Sequence, residues 1–327
     1  MHDSRALLLL TALLLVPALA AAQASVKIEK IAYKGWPNCY RMSNGQIELI
    51  VTSDVGPRII HFGFVGDENE FKQYADQVGK TGGDEWRIYG GHRLWHAPEA
   101  QPRTYALDNS SIEIRTGGGW IHAIQPVEAT TGIQKEMEIR MAPDAPRVEV
   151  GHRLRNKNLW AVELAPWALT AFREGGRAII PFPPRGTHPE MLDATNPLIM
   201  WAYTDFRDQR WNIGFKYISL QQDPKAAKPQ KVGVMVPDGW AAYARNSHLF
   251  VKKFEFKKNA HYPDFGSTIE TFTNADMLEL ETVGPLTKLA PGAAVEYVER
   301  WSLFKGVSLD SPSDENIDRA VLPHARQ

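Results

Sequence analysis

The stretch Gly82-Gly83-Asp84-Glu85-Trp86-Arg87-Ile88-Tyr89-Gly90-Gly91-His92-Arg93-Leu94-Trp95-His96-Ala97-Pro98-Glu99 sets two tryptophans, two histidines, two arginines and three acids around paired glycines. A strand that only fills a core has no need of so many hydrogen-bonding and ionisable groups. A pocket for a polar small molecule does: aromatic faces stack on rings, and a few fixed polar groups orient the ligand. In extended backbone His92, Leu94 and His96 share one face, while Arg93 and Trp95 share the other. An imidazole titrates near neutrality, so His92 or His96 can serve as a general acid. Arg93, and Arg58 on an earlier strand, can give paired hydrogen bonds to vicinal hydroxyls or to a carboxylate.

A second acidic phrase, Met277-Leu278-Glu279-Leu280-Glu281-Thr282-Val283, puts Glu279 and Glu281 on one strand face by alternation. Two desolvated carboxyls raise one another's pKa, which suits a base working near neutral pH. Lys135 falls among Ile133, Met137, Ile139 and Met141, an apolar face on which a lysine must snorkel, pair with a carboxylate or sit in a cleft. Glu279 or Glu281 is its natural partner if the strands adjoin, and a proton-abstracting or uronate-binding lysine is the sharper alternative. His92-x-x-x-His96 has a two-histidine spacing, with Glu99 or Asp84 as further ligands. It lacks the adjacent glutamate of His-Glu-x-x-His, and the glycines argue against a helix. No metal and no cofactor is expected. There is no Gly-x-Ser-x-Gly elbow for a serine nucleophile. Gly117-Gly118-Gly119 is followed by Trp120-Ile121 and reads as a hairpin turn rather than a phosphate cradle.

Period-two alternation dominates the elements that must carry these groups. Strands are expected over 46–52, 58–65, 133–141, 147–154, 178–182, 211–220, 231–236, 249–256, 267–274, 277–283 and 295–304. Turn chemistry separates them, at Asn44-Gly45, Asp54-Val55-Gly56-Pro57, Pro143-Asp144, Asp238-Gly239 and Pro291-Gly292. No long helix-period segment stands out, so the pattern predicts an all-β, large antiparallel two-sheet sandwich.

Residues 1–24 read as a secretory signal: Arg5, an apolar run over 6–18, then small residues at Ala20-Ala21-Ala22 and Ala22-Gln23-Ala24. A secreted or periplasmic protein is expected, with a single domain over 25–307 and a loosely ordered tail over 308–327. The net charge of −1 and its interspersed signs argue against nucleic acid, or a membrane after signal removal, as partner. Cys39 is the only cysteine, so the chain forms no internal disulfide, and it reads as a buried apolar residue.

Several phrases carry a resemblance: Asp54-Val55-Gly56-Pro57-Arg58-Ile59-Ile60, Gly90-Gly91-His92-Arg93-Leu94-Trp95-His96-Ala97-Pro98-Glu99, Gly132-Ile133-Gln134-Lys135-Glu136, Glu163-Leu164-Ala165-Pro166-Trp167-Ala168-Leu169 and Glu270-Thr271-Phe272-Thr273-Asn274. Together, from about Ile28 to Phe304, they resemble an uncharacterised bacterial domain family of the galactose-mutarotase-like (aldose 1-epimerase-like) superfamily. The resemblance implies a super-sandwich that holds carbohydrate in a cleft on one sheet. It further implies a glutamate base in a Leu-Glu-Thr context, which Leu280-Glu281-Thr282 matches. The mutarotase acid is a histidine after an asparagine, and Pro166-Trp167 stands in that place here. Tryptophan can stack on a sugar but cannot protonate it.

Three readings stay open. One is acid–base chemistry on a sugar with Glu281 as base, His92 or His96 as acid, and Arg58, Trp86, Arg93, Trp95 and Trp167 holding the ring. A second is a sugar-binding protein without catalysis. The third is a lyase acting on a uronic acid through Lys135 or a histidine. The expected partner in each is a carbohydrate, a monosaccharide or a glycan end.

Overall fold

The computed structural model of the chain describes residues 25–195 and 198–327. The signal expected at residues 1–24 lies outside them. The apolar alternation resolves into two antiparallel sheets stacked face to face. The eleven-stranded sheet runs, in spatial order, Lys27–Tyr33, Trp36–Ser43, Ile47–Thr52, Arg58–Phe64, Gly91–Ala97, Val162–Phe172, Leu278–Val283, Ile269–Thr273, Gln230–Val234 and Leu198–Met200; Thr287–Leu289 pairs with the start of Val162–Phe172. The ten-stranded sheet runs Trp211–Ile213, Tyr217–Gln221, Arg177–Pro181, Trp240–Arg245, His248–Phe254, Ala294–Lys305, Arg147–Asn156, Ile133–Met141, Trp120–Ile124 and Glu113–Gly117. The all-β two-sheet expectation holds.

One strand face of each sheet supplies the core. From the eleven-stranded sheet come Leu94, Leu164, Phe172, Leu278 and Leu280; from the other come Ile139, Val150, Tyr243, Phe250 and Trp301. Burial of that many aliphatic and aromatic side chains is the main stabilising term for such a sandwich. Cys39 is buried in a smaller cluster with Trp36, Ile50 and Tyr89, where burial pushes its thiol up to about 11.

The tail differs from the expectation of loose order. Asp314–Ala320 and Leu322–Ala325 are helical, and Ser313 caps the first by accepting from the Asn316 N–H. Ile317, Val321 and Ala325 recur every fourth residue and pack against Ile179, Trp240 and Val251 on the outer side of the ten-stranded sheet. Only those three positions carry the stripe, and Pro323 interrupts it, so the segment reads as polar.

Candidate active site

Three neighbouring strands build the site by register alone. Across Gly91–Ala97, Val162–Phe172 and Leu278–Val283, Trp95 stands opposite Trp167, and Trp167 opposite Val283. One step along, Arg93 stands opposite Leu169, which stands opposite Glu281. Because side chains alternate, all of these project from the sheet face that does not enter the core. Loops close over them and leave a cleft of about 330 Å³ whose lining includes Trp86, Arg93, Trp95, Trp167, Glu279 and Glu281. Tyr74, Glu99, Tyr105, Tyr203 and Lys231 complete its walls.

The aromatic wall is one packed group. Trp95 contacts Trp86 at 5.6 Å, Tyr105 at 5.0 Å and Trp167 at 5.4 Å between ring centroids. Trp95 and Trp167 are almost fully covered, so the ring surface open to a ligand belongs to Trp86, Tyr105 and Tyr203 at the rim. The paired glycines explain how the Trp86 loop reaches the sheet. Gly90 has φ +98°, and a Cβ there would sit 2.0 Å from the Lys72 carbonyl oxygen; at Gly91, with φ +74°, it would sit 2.3 Å from that of Ile59. Only glycine lets the backbones approach so closely.

The polar wall is a set of shared charges. Arg93 donates to Glu279 at 2.7 Å, and its guanidinium lies 4.6 Å from the Trp95 ring centre. Lys231 lies 2.8 Å from Glu270 and 3.2 Å from Glu281, with its ammonium over the Trp167 ring at 4.8 Å. The Trp167 indole N–H donates to Glu281 Oε2 at 2.8 Å. Glu281 is 1% exposed and its other oxygen, Oε1, has no partner. Burial raises the Glu281 carboxyl above its ordinary range, against the pull of Lys231. Burial likewise pushes Glu270 up to about 8, with Lys231 opposing and Glu281 and Asp264 adding to the rise. Burial works to discharge Lys231, but Glu270 and Glu281 overcome it and hold the ammonium charged. One ammonium facing two carboxyls favours retention of a proton between them.

Four residues named from sequence lie elsewhere. His92 and His96 occupy the opposite face of Gly91–Ala97, the core side, and neither lines the cleft. His92 meets His152 Nε2 at 2.7 Å and Thr170 Oγ1 at 2.8 Å. Four residues apart on an extended strand, His92 and His96 are about 13 Å from one another, too far to share a metal. His92 Nε2, His152 Nε2 and a Glu299 oxygen do lie within 4.8 Å of each other. Their lone pairs are already used: Glu299 accepts from Lys252, Trp301 and Thr282.

Arg58 is fully buried beneath the Trp86 loop. It donates to the Ile88 and Gly90 carbonyls at 2.9 and 2.8 Å and pairs with Asp108 at 2.7 Å. It shares the register row of Arg93 but is roofed by that loop, so it holds the wall rather than a ligand. Lys135 does take a carboxylate partner, but it is Glu128, at 2.5 Å, and not Glu279 or Glu281. The reason is topological: Lys135 points into the core from the ten-stranded sheet, whereas the two expected partners point away from it on the other.

No protein-family model matches the chain, and no curated protein matches it in sequence. Solved structures do match in shape. A galactose mutarotase-like protein from Lactobacillus casei superposes with a TM-score of 0.56 at 9% identity, covering 82% of this chain and 100% of that one. A candidate aldose 1-epimerase from Klebsiella pneumoniae gives 0.55 at 12% identity, over 92% and 87%. This is the galactose-mutarotase-like fold. The chain spans about half, 49%, of a TPR-domain containing protein from Parabacteroides distasonis that also matches, with a TM-score of 0.54 at 13% identity over 84% of this chain.

Within the galactose-mutarotase-like fold Lys231, Glu270 and the three tyrosines of the cleft are additions to the residues expected from sequence, and Glu99 stands in the cleft wall rather than as a metal ligand with His92 and His96. A signal for Lys231 existed. It interrupts the strand phrase Gln230-Lys231-Val232-Gly233-Val234, with Val232 and Val234 entering the core, so it had to face the other way. Glu270 is placed opposite Glu281 by register, which sequence alone does not give.

Proposed function

We propose that the chain is an exported carbohydrate-binding protein and that its cleft holds a saccharide, with Glu281 moving a proton in epimerase-like chemistry. The observation that carries the reading is the buried Glu281 carboxyl, with one free oxygen, beside Lys231 in an aromatic-walled cleft. A carboxyl whose pKa is raised by burial is a competent base near neutral pH. In this reading Glu281 takes the proton of the anomeric hydroxyl as the bond from C1 to the ring oxygen breaks. The ring oxygen takes its proton from water in the open cleft. The hydroxyl so formed then closes on the other face of C1: its proton returns to the hydroxide left by that water, Glu281 gives its own back to the C1 oxygen, and the other anomer results. Export is supported by the charged, apolar and small-residue succession of residues 1–24.

A second reading, sugar binding without catalysis, is favoured by the place of His92 and His96 behind the sheet, since among the described residues that line the cleft with Glu281 there is no histidine. The uronate-lyase alternative has less behind it, because Arg93 is already engaged by Glu279 and Lys135 by Glu128. NMR measurement of anomeric exchange on sugars first selected by a glycan array tests all of this. Binding with exchange that is lost in Glu281→Gln supports the first reading. Binding with exchange no faster than in buffer supports the second. If no sugar binds, both fall.

A further inference from the structure

A second cavity, of about 400 Å³, opens on the other side of the Gly91–Ala97 strand from the cleft. His96 lines it while 1% exposed, and neither of its ring nitrogens has a hydrogen-bond partner. A buried imidazole with both nitrogens unpaired is costly, because neither polar group regains the hydrogen bond it had to water. The nearest charge is Glu128 Oε2, 3.8 Å from His96 Nε2, and that carboxylate is already bound by Lys135 at 2.5 Å and by Thr131. At the mouth stands Trp160, 64% exposed, next to Leu159, 90% exposed. A bare indole beside an unsatisfied buried polar group is the pairing that ring-bearing polar ligands exploit.

The charges of the wall choose the ligand class. Arg103 and Glu163 line the cavity with opposite signs, and Lys135 and Glu128 cancel behind it. The remaining walls mix apolar Ile133 and Val162 with the Thr131 hydroxyl. Such a cavity offers no net charge to an anion or a cation. We propose that it is a second ligand site that takes a neutral saccharide unit, stacked on Trp160 with a hydroxyl directed to His96. This site is independent of the cleft reading, since it shares none of the cleft's lining side chains.

The test uses the full mature chain and three neutral disaccharides as probes: lactose, maltose and cellobiose. Saturation-transfer NMR and calorimetry would be run on the wild type, on Trp160→Ala and on Trp86→Ala. Trp160 is a surface residue, so its removal leaves the fold intact. The expected result is at least a tenfold loss of affinity in Trp160→Ala for a probe whose binding Trp86→Ala leaves unchanged. The same probe should shift the His96 ring-proton resonances in the wild type and not in Trp160→Ala. Unchanged affinity in Trp160→Ala, or no binding of any probe to the wild type, overturns the proposal. Loss of all binding in Trp86→Ala alone would overturn it while leaving the cleft reading standing.

Discussion

His92 Nε2 lies 2.7 Å from His152 Nε2 in the closed space between the sheets, and that one contact fixes both tautomers. His152 Nδ1 faces the Tyr297 carbonyl at 3.1 Å and must donate to it, which leaves Nε2 bare to accept from His92. His92 Nδ1 then accepts from the Thr170 hydroxyl, whose oxygen accepts from Lys252 at 2.7 Å. The chain of donors runs one way: a proton added to His152 would set two N–H groups head to head, and one added to His92 would displace the hydrogen bond that Nδ1 accepts from Thr170.

Burial lowers the pKa of both histidines, with His152 adding to the effect on His92. Below the ordinary histidine value near 6.5 the unfolded chain binds protons that the folded pair refuses, so stability falls as pH falls. The slope approaches about 1.4 kcal/mol per pH unit for each ring. Urea unfolding at pH 7 and pH 5.5 should show the lower midpoint at 5.5. A His92→Gln/His152→Gln variant should show a shallower dependence; an equal one would mean that the pair folds protonated.

Glu270 works with the opposite sign. Its folded carboxyl, raised to about 8, keeps a proton that the unfolded chain releases above its ordinary 4.5. The stability it contributes is complete below 4.5 and is lost as pH rises through 8. Glu270→Gln should therefore flatten the fall in melting temperature between pH 5 and 8.5. A variant that follows the wild-type curve would show that Glu270 is ionised throughout.

The Arg93–Glu279 pair is buried, with both side chains less than a tenth exposed. Arg93→Met strands the carboxylate and should cost about 3–5 kcal/mol in a denaturant titration. Arg93→Met/Glu279→Met should recover most of that loss, because no uncompensated charge remains. Equal losses in the single and double variants would place the value of Arg93 in its contact with Trp95 instead.

Gly91→Ala forces a Cβ to 2.3 Å from a carbonyl oxygen at a positive φ, so the Trp86 loop must lift from the sheet. We expect destabilisation of about 1–3 kcal/mol, and a weakened ligand response at Trp86 when tryptophan fluorescence is followed. Normal stability with normal binding would show that the glycine pair is dispensable.

Much of this was legible in the sequence. Alternation places strands over 133–141 and 277–283 and predicts the two-sheet sandwich, which the resemblance also implies; the structure has Ile133–Met141 and Leu278–Val283. Alternation also places Arg93 and Trp95 on the face opposite His92 and His96. What alternation could not say is which of the two faces looks into the core. Polar residues suggest solvent, which assigns both histidines to the ligand, yet His92 is satisfied between the sheets by His152 and Thr170, and His96 is buried on that same side. Lys135 pairs with Glu128 rather than Glu279 or Glu281 because the strands do not adjoin, and which sheet carries which strand follows from long-range pairing rather than local pattern. The tail helices leave only a faint stripe, three buried positions in twelve, which local pattern does not separate from a polar segment.

The three central strands also obey a simple parity. Ala97, Ala165, Trp167, Leu169, Glu279, Glu281 and Val283 carry odd numbers and meet the cleft side; His92, Leu94, Phe172, Leu278 and Leu280 carry even ones and meet the core. Combinatorial libraries restricted to the odd positions that line the cleft, such as Trp167, Glu279 and Glu281, would vary its wall while leaving the packing between the sheets untouched. A single-residue deletion in any of these strands would exchange the two roles from the deleted position onward.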